Sequence, residues 1–147
     1  MKMKYASFGE RASAYIIDNV LLSGVMMLFY IPVLILYEIF PILLIGLSED
    51  FLIMVTMIIF DVFILYVYFT YMIGKYGYTV GKRHYGIKVV TLEGKIPGYK
   101  KAFLRAIGYV ISSIFLYLGF IWIAIDKKKQ GWHDKLAKTY VIREVRK

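Results

Sequence analysis

The sequence predicts an all-α membrane protein. It has two full transmembrane helices, a third hydrophobic segment that is broken or re-entrant, and a small cytoplasmic β-hairpin with a C-terminal strand. The first observation behind this prediction is composition: 60% of the 147 residues are hydrophobic, against about 45–50% apolar residues in soluble domains. The second is charge segregation, because no Lys or Arg lies between residues 12 and 74. The excess apolar surface therefore has to face lipid.

The distribution of basic residues predicts the orientation of the chain. Basic segments stay on the cytoplasmic side of a membrane, so we expect a multi-pass protein of the cell membrane with both termini in the cytoplasm. The same segments attract anionic lipid head groups, and we expect no nucleic-acid partner. The chain has no cysteine and two histidines, which excludes thiolate chemistry, and we expect no metal or cofactor.

The first helix is predicted at residues 8–37. Ser7 and Glu10 form a capping box before the apolar run, in which each side chain satisfies a free backbone N–H. At ~1.5 Å per residue the run crosses a ~30 Å hydrocarbon core. It is longer than the apolar region of a signal peptide, so we expect it to be retained.

Besides Glu10 of the capping box, this first helix contains two charged residues, Arg11 and Asp18. Seven residues apart, they share nearly one face, ~10.5 Å apart along the axis. A charge at the bilayer centre costs about 2.5–3.5 kcal/mol on insertion scales, so each requires an explanation. Arg11 either snorkels to the interface or is paired. Asp18 either accepts a hydrogen bond from a tyrosine or serine, or has a functional role.

The second helix is predicted at residues 51–73, after an interfacial turn in the stretch "EIFPILLIGLSED". Its one charge, Asp61, lies near the middle of the span. Three readings are open for this carboxyl group: it is protonated and silent, it pairs with a tyrosine or threonine, or it belongs to a proton or cation path.

The basic loop at residues 74–101 contains the alternating stretch "GIKVVTLEGKI". Its Glu93-Gly94 pair predicts a hairpin turn between two short strands. The stretch "GYTVGKR" lacks the full spacing of a phosphate-binding loop. We interpret it as a tight turn after the second helix, where Lys82 and Arg83 meet lipid phosphates.

The third hydrophobic segment, residues 102–125, is flanked by basic residues on both sides. A single crossing would place one basic cluster outside, whereas a re-entrant path keeps both clusters in the cytoplasm. A broken path is tolerated where neighbouring protein covers the freed backbone groups, so we favour it. The tail, residues 126–147, contains the strand-like run "KTYVIREVRK", and its natural partner is the hairpin.

Three stretches together resemble the RDD family of small membrane proteins, over nearly the whole chain as a single domain: "RASAYIIDNVLLSG", "GYTVGKRHYGIKVVTLEGKIPGYKKAFLRAI" and "GFIWIAIDKKKQGWHDKLAKTYVI". That family is named for one arginine and two aspartates, which the resemblance assigns to Arg11, Asp18 and Asp134. Asp61 matches no signature position. The remaining matches are a Gly-x-Thr-x-Gly-Lys motif loop and an arginine before the last hydrophobic stretch: Gly77, Thr79, Gly81, Lys82 and Arg105.

The resemblance and the re-entrant path together predict a contact. Both place Arg11 and Asp134 at the cytoplasmic boundary, where an arginine and a carboxylate form a charge-assisted pair. We therefore predict that Arg11 contacts Asp134 or Asp18, with Arg105 nearby. The candidate charge cluster or ligand path consists of Arg11, Asp18, Asp134, Arg105 and Asp61.

The resemblance implies transport of an unidentified ligand, since the molecular function of the family is poorly defined. Two or three spans cannot enclose a pathway alone, so a transporter would be a homo-oligomer or would join a larger membrane partner. The alternative is a non-transporting regulatory or scaffold subunit. Ser112 and Ser113 have no neighbouring histidine in the sequence, and the intramembrane aspartates lie on different helices, so we expect no enzyme.

Overall fold

The computed structural model describes residues 4–39 and 49–144. They form a mostly helical protein with one two-stranded sheet, which confirms the predicted fold class. The chain forms two compact units, a smaller unit at Asn19–Leu65 and a larger unit made of the residues up to Asp18 and from Tyr66 onward. The elements are α1 (Phe8–Ile39), α2 (Glu49–Tyr76), α3 (Val80–His84), β1 (Ile87–Thr91), α4 (Gly98–Ile114), α5 (Leu118–Ile125), α6 (Trp132–Leu136) and β2 (Thr139–Arg143).

Helices α1 and α2 are long and apolar enough to span a membrane, over Phe8–Ile35 and Met54–Tyr76. Only 17% of the most apolar window of each is buried within the protein, so most of these side chains are left for lipid. Both helices extend slightly beyond the predicted bounds. Most of the predicted interfacial turn, residues 40–48, lies outside the described residues.

The smaller unit contains a polar contact between its two helical segments. The hydroxyl group of Tyr30 donates a hydrogen bond to the Asp61 carboxylate, and the rings of Phe29 and Phe60 lie 5.7 Å apart beside it. Of the three readings open for Asp61, the structure therefore shows the one in which it pairs with a tyrosine.

The third hydrophobic segment is broken, as predicted. Helices α4 and α5 meet at an angle of 101°. The break is made by Leu116 and Tyr117, whose φ angles of 50° and 60° lie in the left-handed region, which side chains other than glycine seldom adopt. Helix α5 therefore does not continue the direction of α4.

The predicted hairpin is wrong in its second strand. A turn is present, since the N–H of Gly94 donates to the Thr91 carbonyl at 3.0 Å and Gly94 has a φ of 78°. After it, however, only Lys95 and Ile96 precede Pro97, which lacks an N–H for a ladder, and α4 then begins. Strand β1 instead pairs antiparallel with β2, the predicted tail strand, with Val89 opposite Val141.

Strand β2 also forms backbone hydrogen bonds with the segment that precedes α1. The N–H of Ala6 donates to the Val141 carbonyl, and the N–H of Arg143 donates to the Lys4 carbonyl, each at 2.9 Å. β2 therefore lies between β1 and the segment that leads into α1. The sheet and this segment fix the start of α1 next to the tail.

The predicted capping box is present at the start of α1. The Ser7 N–H donates to Glu10 Oε2 at 2.7 Å, and the Glu10 N–H donates to Ser7 Oγ at 3.3 Å. Glu10 also forms an ion pair with Arg143 at 2.6 Å. The cap therefore sets both the start of the helix and its contact with β2.

Candidate functional site

Asp134 lies at the centre of a buried charge cluster. Its side chain accepts a hydrogen bond from the Gly131 N–H at 2.9 Å, which caps α6 and fixes the carboxylate in position. Arg11 Nη1 donates to Oδ2 at 2.7 Å, and Arg105 Nη1 donates to Oδ1. The predicted contact of Arg11 with Asp134 is present, and Arg105 is nearby as predicted. We call Arg11, Asp134 and Arg105 the clamp.

The two arginines of the clamp also bond neighbouring elements. Arg11 Nη2 donates to the Val141 carbonyl of β2 at 3.4 Å. Arg105 donates to Thr139 Oγ1 at 2.6 Å and to the Tyr109 hydroxyl at 3.3 Å. Arg11 is only 7% exposed, so it does not snorkel to a surface. The clamp therefore joins α1, α4, α6 and β2.

The clamp and its burial set the ionisation of Asp134 and His133 in α6. Burial alone would raise the pKa of Asp134, but the nearby charges of Arg105 and Arg11 hold it well below its ordinary value. Burial lowers the pKa of His133 to about 3, and the positive charge of Arg105 acts in the same direction. His133 Nε2 lies 3.6 Å from the Asp134 carboxylate, yet the histidine is neutral at pH 7, so this contact is no ion pair.

Asp18 is stabilised by neutral donors. Its carboxylate accepts hydrogen bonds from the Tyr68 hydroxyl at 2.8 Å, the Thr79 hydroxyl at 2.6 Å and the Gly81 N–H at 2.8 Å. It is completely buried. Of the two predicted partners of Arg11, Asp134 is therefore the one that it contacts, while Asp18 holds the motif loop against α1.

The geometry of the motif loop shows why small residues are needed there. A Cβ on Gly81 would collide with the Ala14 carbonyl oxygen, so only glycine permits this approach to α1. Gly77 has a φ of 79°, and its carbonyl accepts the Val89 N–H at 2.6 Å. Thr79 caps α3, because its Oγ1 accepts the Lys82 N–H. These residues set the backbone path between α2 and β1.

Lys82 corrects the sequence-based interpretation. It was expected to meet lipid phosphates, but it is only 4% exposed, and its Nζ lies 5.5 Å from the centre of the Phe69 ring. The close approach of Gly81 to α1 carries the next residue into the interior. Arg83, its neighbour in the chain, is exposed. Burial of a lysine requires compensation.

A cavity of about 300 Å³ lies within the larger unit. Its lining combines three polar side chains, Arg11, Lys82 and His133, with a mostly apolar and aromatic wall. The break between α4 and α5 contributes Tyr117 to this wall. The other lining residues are Phe8, Ala12, Tyr15, Ile16, Tyr109, Phe120, Ile121 and Ile123. Such a lining is typical of a small-molecule site.

The sequence left parts of this site unrecognised. His133 precedes the signature residue Asp134, and Lys82 is the last residue of the Gly-x-Thr-x-Gly-Lys motif. Neither position in the sequence indicates that the side chain is buried. Tyr68 lies toward the C-terminal end of the second span, where a tyrosine also serves as an interfacial anchor. Among residues 4–39 and 49–144, no group of three His, Cys, Asp or Glu side chains could hold a metal ion.

Comparison with known proteins gives a family and two relatives. The model of the RDD family matches residues 5–138. "Uncharacterized protein YxaI" of Bacillus subtilis (strain 168) is 41% identical over 64 residues, 44% of this chain and 42% of the relative. "Uncharacterized membrane protein YteJ" of the same organism is 33% identical over 79 residues, 52% of this chain and 47% of the relative. The chain therefore matches a little under half the length of these curated relatives. No solved structure matches it.

Proposed function

This chain belongs to the RDD family of membrane proteins, and we propose that it takes part in the transport of a small anionic solute that binds in the cavity. The observation that carries the proposal is an excess of buried positive charge around that cavity. The sequence predicted transport of an ion or small solute of unspecified charge, and the proposal specifies a negative charge.

The excess is found by counting buried ionised side chains among the described residues of the larger unit. Three are cations, Arg11, Lys82 and Arg105, and two are carboxylates, Asp18 and Asp134. Both carboxylates already have donors. Among the described residues, no carboxylate lies within ion-pair distance of Lys82. Asp18 has three hydrogen-bond donors, whereas the described contact of the Lys82 ammonium group is the Phe69 ring. A buried ammonium group needs acceptors, which supports an anion as the missing partner.

The broken third segment supports transport in a second way. Irregular backbone at membrane depth is tolerated where it lines a cavity, and Tyr117, at the break, lines this one. Two candidate spans and one bent pair enclose little space alone. We therefore propose that the working form is a homo-oligomer or a complex with a larger membrane partner. In this proposal both termini face the cytoplasm.

Flux through proteoliposomes tests the proposal. Chloride, methanesulfonate and octanesulfonate are suitable probes, because they stay ionised and do not cross lipid as neutral acids. We expect the full chain to raise the flux of at least one probe above protein-free liposomes and Lys82→Gln to abolish the increase. Lys128→Gln, which alters a lysine outside the cavity lining, is the matched control. No flux of any probe would contradict transport.

The clamp favours a second candidate function, that of a regulatory or scaffold subunit. Arg11, Asp134 and Arg105 join four elements through contacts that need no solute. In this proposal the exposed basic residues bind a partner protein. Affinity purification from native membranes distinguishes the candidates, because a stoichiometric larger partner together with no anion flux would favour the scaffold.

A further inference from the structure

We infer that the cavity binds an anionic amphiphile, a single linear alkyl chain that carries a carboxylate or phosphate head. The inference deepens the proposed function and rests on it for the role of the cavity. It assigns the head to the end near Lys82 and Arg11, and the chain to the apolar wall.

The head end follows from charge and from unpaired donors. Lys82 and Arg11 both line the cavity and are its two cationic side chains. Arg11 Nη1 is already engaged by Asp134, whereas Lys82 has a ring contact and no ion pair among the described residues. A buried ammonium group requires acceptors, and an oxyanion beside Lys82 supplies them, with the positive charge of Arg11 adding to the attraction.

The chain end follows from the rest of the wall. Nine of the twelve lining residues are apolar or aromatic, so a small hydrated anion would leave most of the wall in contact with water. An alkyl chain buries that wall, and each methylene that it buries strengthens binding about fourfold.

Size and exposure set the length of the chain. At ~30 Å³ for each water-sized group, the 300 Å³ cavity holds about ten such groups, which is a head and seven or eight carbons. The lining residues Ile16 and Tyr117 are 62% and 59% exposed, so the cavity is open to the outside. A longer chain therefore extends out of the cavity.

Other ligand classes fit less well. A neutral alcohol would leave the charge of Lys82 without a counter-charge. A cation would meet that same charge, and both nearby carboxylates already have donors: Asp134 from the arginines, and Asp18 from its three neutral partners.

Equilibrium binding to the full chain in nanodiscs of zwitterionic phosphatidylcholine tests the inference. The probes are octanoate and octyl phosphate, with octanol, acetate and inorganic phosphate as incomplete ligands. We expect saturable binding of the two amphiphiles, at least tenfold tighter than that of each incomplete ligand. Affinity should rise from butanoate to octanoate and then level off. Equal binding of octanol and octanoate, or of acetate and octanoate, would overturn the inference.

A further arm identifies the source of the amphiphile. Lysophosphatidylglycerol carries the same head chemistry on a membrane lipid. Binding as tight as that of octanoate supports a lipid ligand, and weaker binding supports a free amphiphile. If neither it nor the two free amphiphiles binds saturably, the inference is overturned.

Two variants locate the site. Lys82→Gln should weaken octanoate binding at least tenfold and leave octanol binding unchanged, with Lys128→Gln as control. Ala12→Leu, which fills the cavity without altering charge, should weaken both, with the exposed Ala124→Leu as control. The Ala12→Leu variant keeps the test valid if Lys82→Gln does not fold. Unchanged octanoate binding to a folded Ala12→Leu protein would overturn the inference.

Binding and flux separate this inference from the proposed function. Octanoate binding without flux of any probe would contradict transport and leave the binding site standing. Chloride flux without octanoate binding would overturn the amphiphile and leave transport standing.

Discussion

Two buried aspartates of the larger unit are stabilised by different chemistry. The carboxylate of Asp134 lies between the guanidinium groups of two arginines, so full charges surround it. The carboxylate of Asp18 accepts two hydroxyl groups and one backbone N–H, so only dipoles surround it. Both are completely buried. The two carboxylates are therefore equally buried, although Asp134 has counter-charges beside it and Asp18 has only neutral donors.

The difference shows what each aspartate leaves behind when it is removed. Loss of Asp134 leaves Arg11 and Arg105 side by side as unpaired buried cations, and such a change is strongly destabilising. Loss of Asp18 leaves neutral donors, whose desolvation has a smaller cost. The clamp should therefore be the more sensitive region.

The largest effect is expected for Asp134→Asn. The substitution keeps the shape and removes the charge between the two arginines, so we expect a loss of about 3–5 kcal/mol in the free energy of unfolding. Chemical denaturation in neutral detergent, followed by tryptophan fluorescence, measures it. Glu144→Gln is the control, because Glu144 forms an exposed ion pair with Lys88 and should lose less than about 1 kcal/mol. Equal losses would refute the special role of the clamp.

Asp18→Asn should destabilise the protein less, by about 1–3 kcal/mol. Asparagine keeps one acceptor, but its NH₂ group faces donors that previously met a carboxylate oxygen. The same denaturation assay measures the loss. A loss of stability equal to that of Asp134→Asn would mean that neutral donors and ion pairs contribute equally to the stability of these two aspartates. That result would contradict the expected difference between them.

Acidification should weaken the clamp region through His133. The unfolded histidine takes up a proton near pH 6.5, whereas the folded one stays neutral down to about pH 3. The unfolded state therefore binds more protons below pH 6.5, and stability falls by about 1.4 kcal/mol for each pH unit. Carboxyl groups with a lowered pKa, among them Asp134, Asp126 and Glu93, lose stability only as the pH approaches their unfolded pKa values of about 3.9 and 4.3. The window from pH 6.5 to 5.5 therefore isolates the histidine.

Unfolding measured across that window checks the sign. His133→Gln should flatten the slope, and His84→Gln, at an exposed position, should leave it unchanged. Stability that rises on acidification would show that the folded protein takes up the proton at His133.

The smallest effect is expected for Tyr68→Phe. It removes one of three donors to Asp18 and also the acceptor of the exposed Val80 N–H at 3.2 Å. The carboxylate keeps Thr79 and Gly81, so we expect a loss of about 1 kcal/mol. Tyr78→Phe, which changes a tyrosine with no such bond among the described contacts of Asp18, is the control in the same assay. A loss above that of Asp18→Asn would show that the hydroxyl does more than bond Asp18 and Val80.

The contact at the centre of the clamp was predictable only with the family resemblance, which assigned Asp134 as a signature residue. Charge segregation then placed Asp134 and Arg11 near one boundary, and the choice between Asp134 and Asp18 as the partner of Arg11 needed the structure. The broken third segment followed from the same charges. The capping box needed only local sequence, because its residues are three apart.

Other features depend on tertiary contacts that local sequence does not contain. The alternating stretch around Glu93 fits a hairpin, but the edge of β1 is filled by β2, and α4 begins before a second strand can form. From the sequence, Lys82 looks like an exposed cation. Its burial follows from the close approach of Gly81 to the Ala14 carbonyl, which the local sequence does not reveal. Burial of His133 likewise depends on how α6 packs on α4.

The pairing of Arg11 with Asp134 also has a consequence for biogenesis. The two residues are 123 positions apart, so the arginine leaves the ribosome long before its partner is made. Until then its charge must be solvated by water or by lipid head groups at the membrane boundary. The larger unit therefore cannot close until Asp134 has been made, and a nascent chain that stops before Asp134 leaves this arginine without its carboxylate.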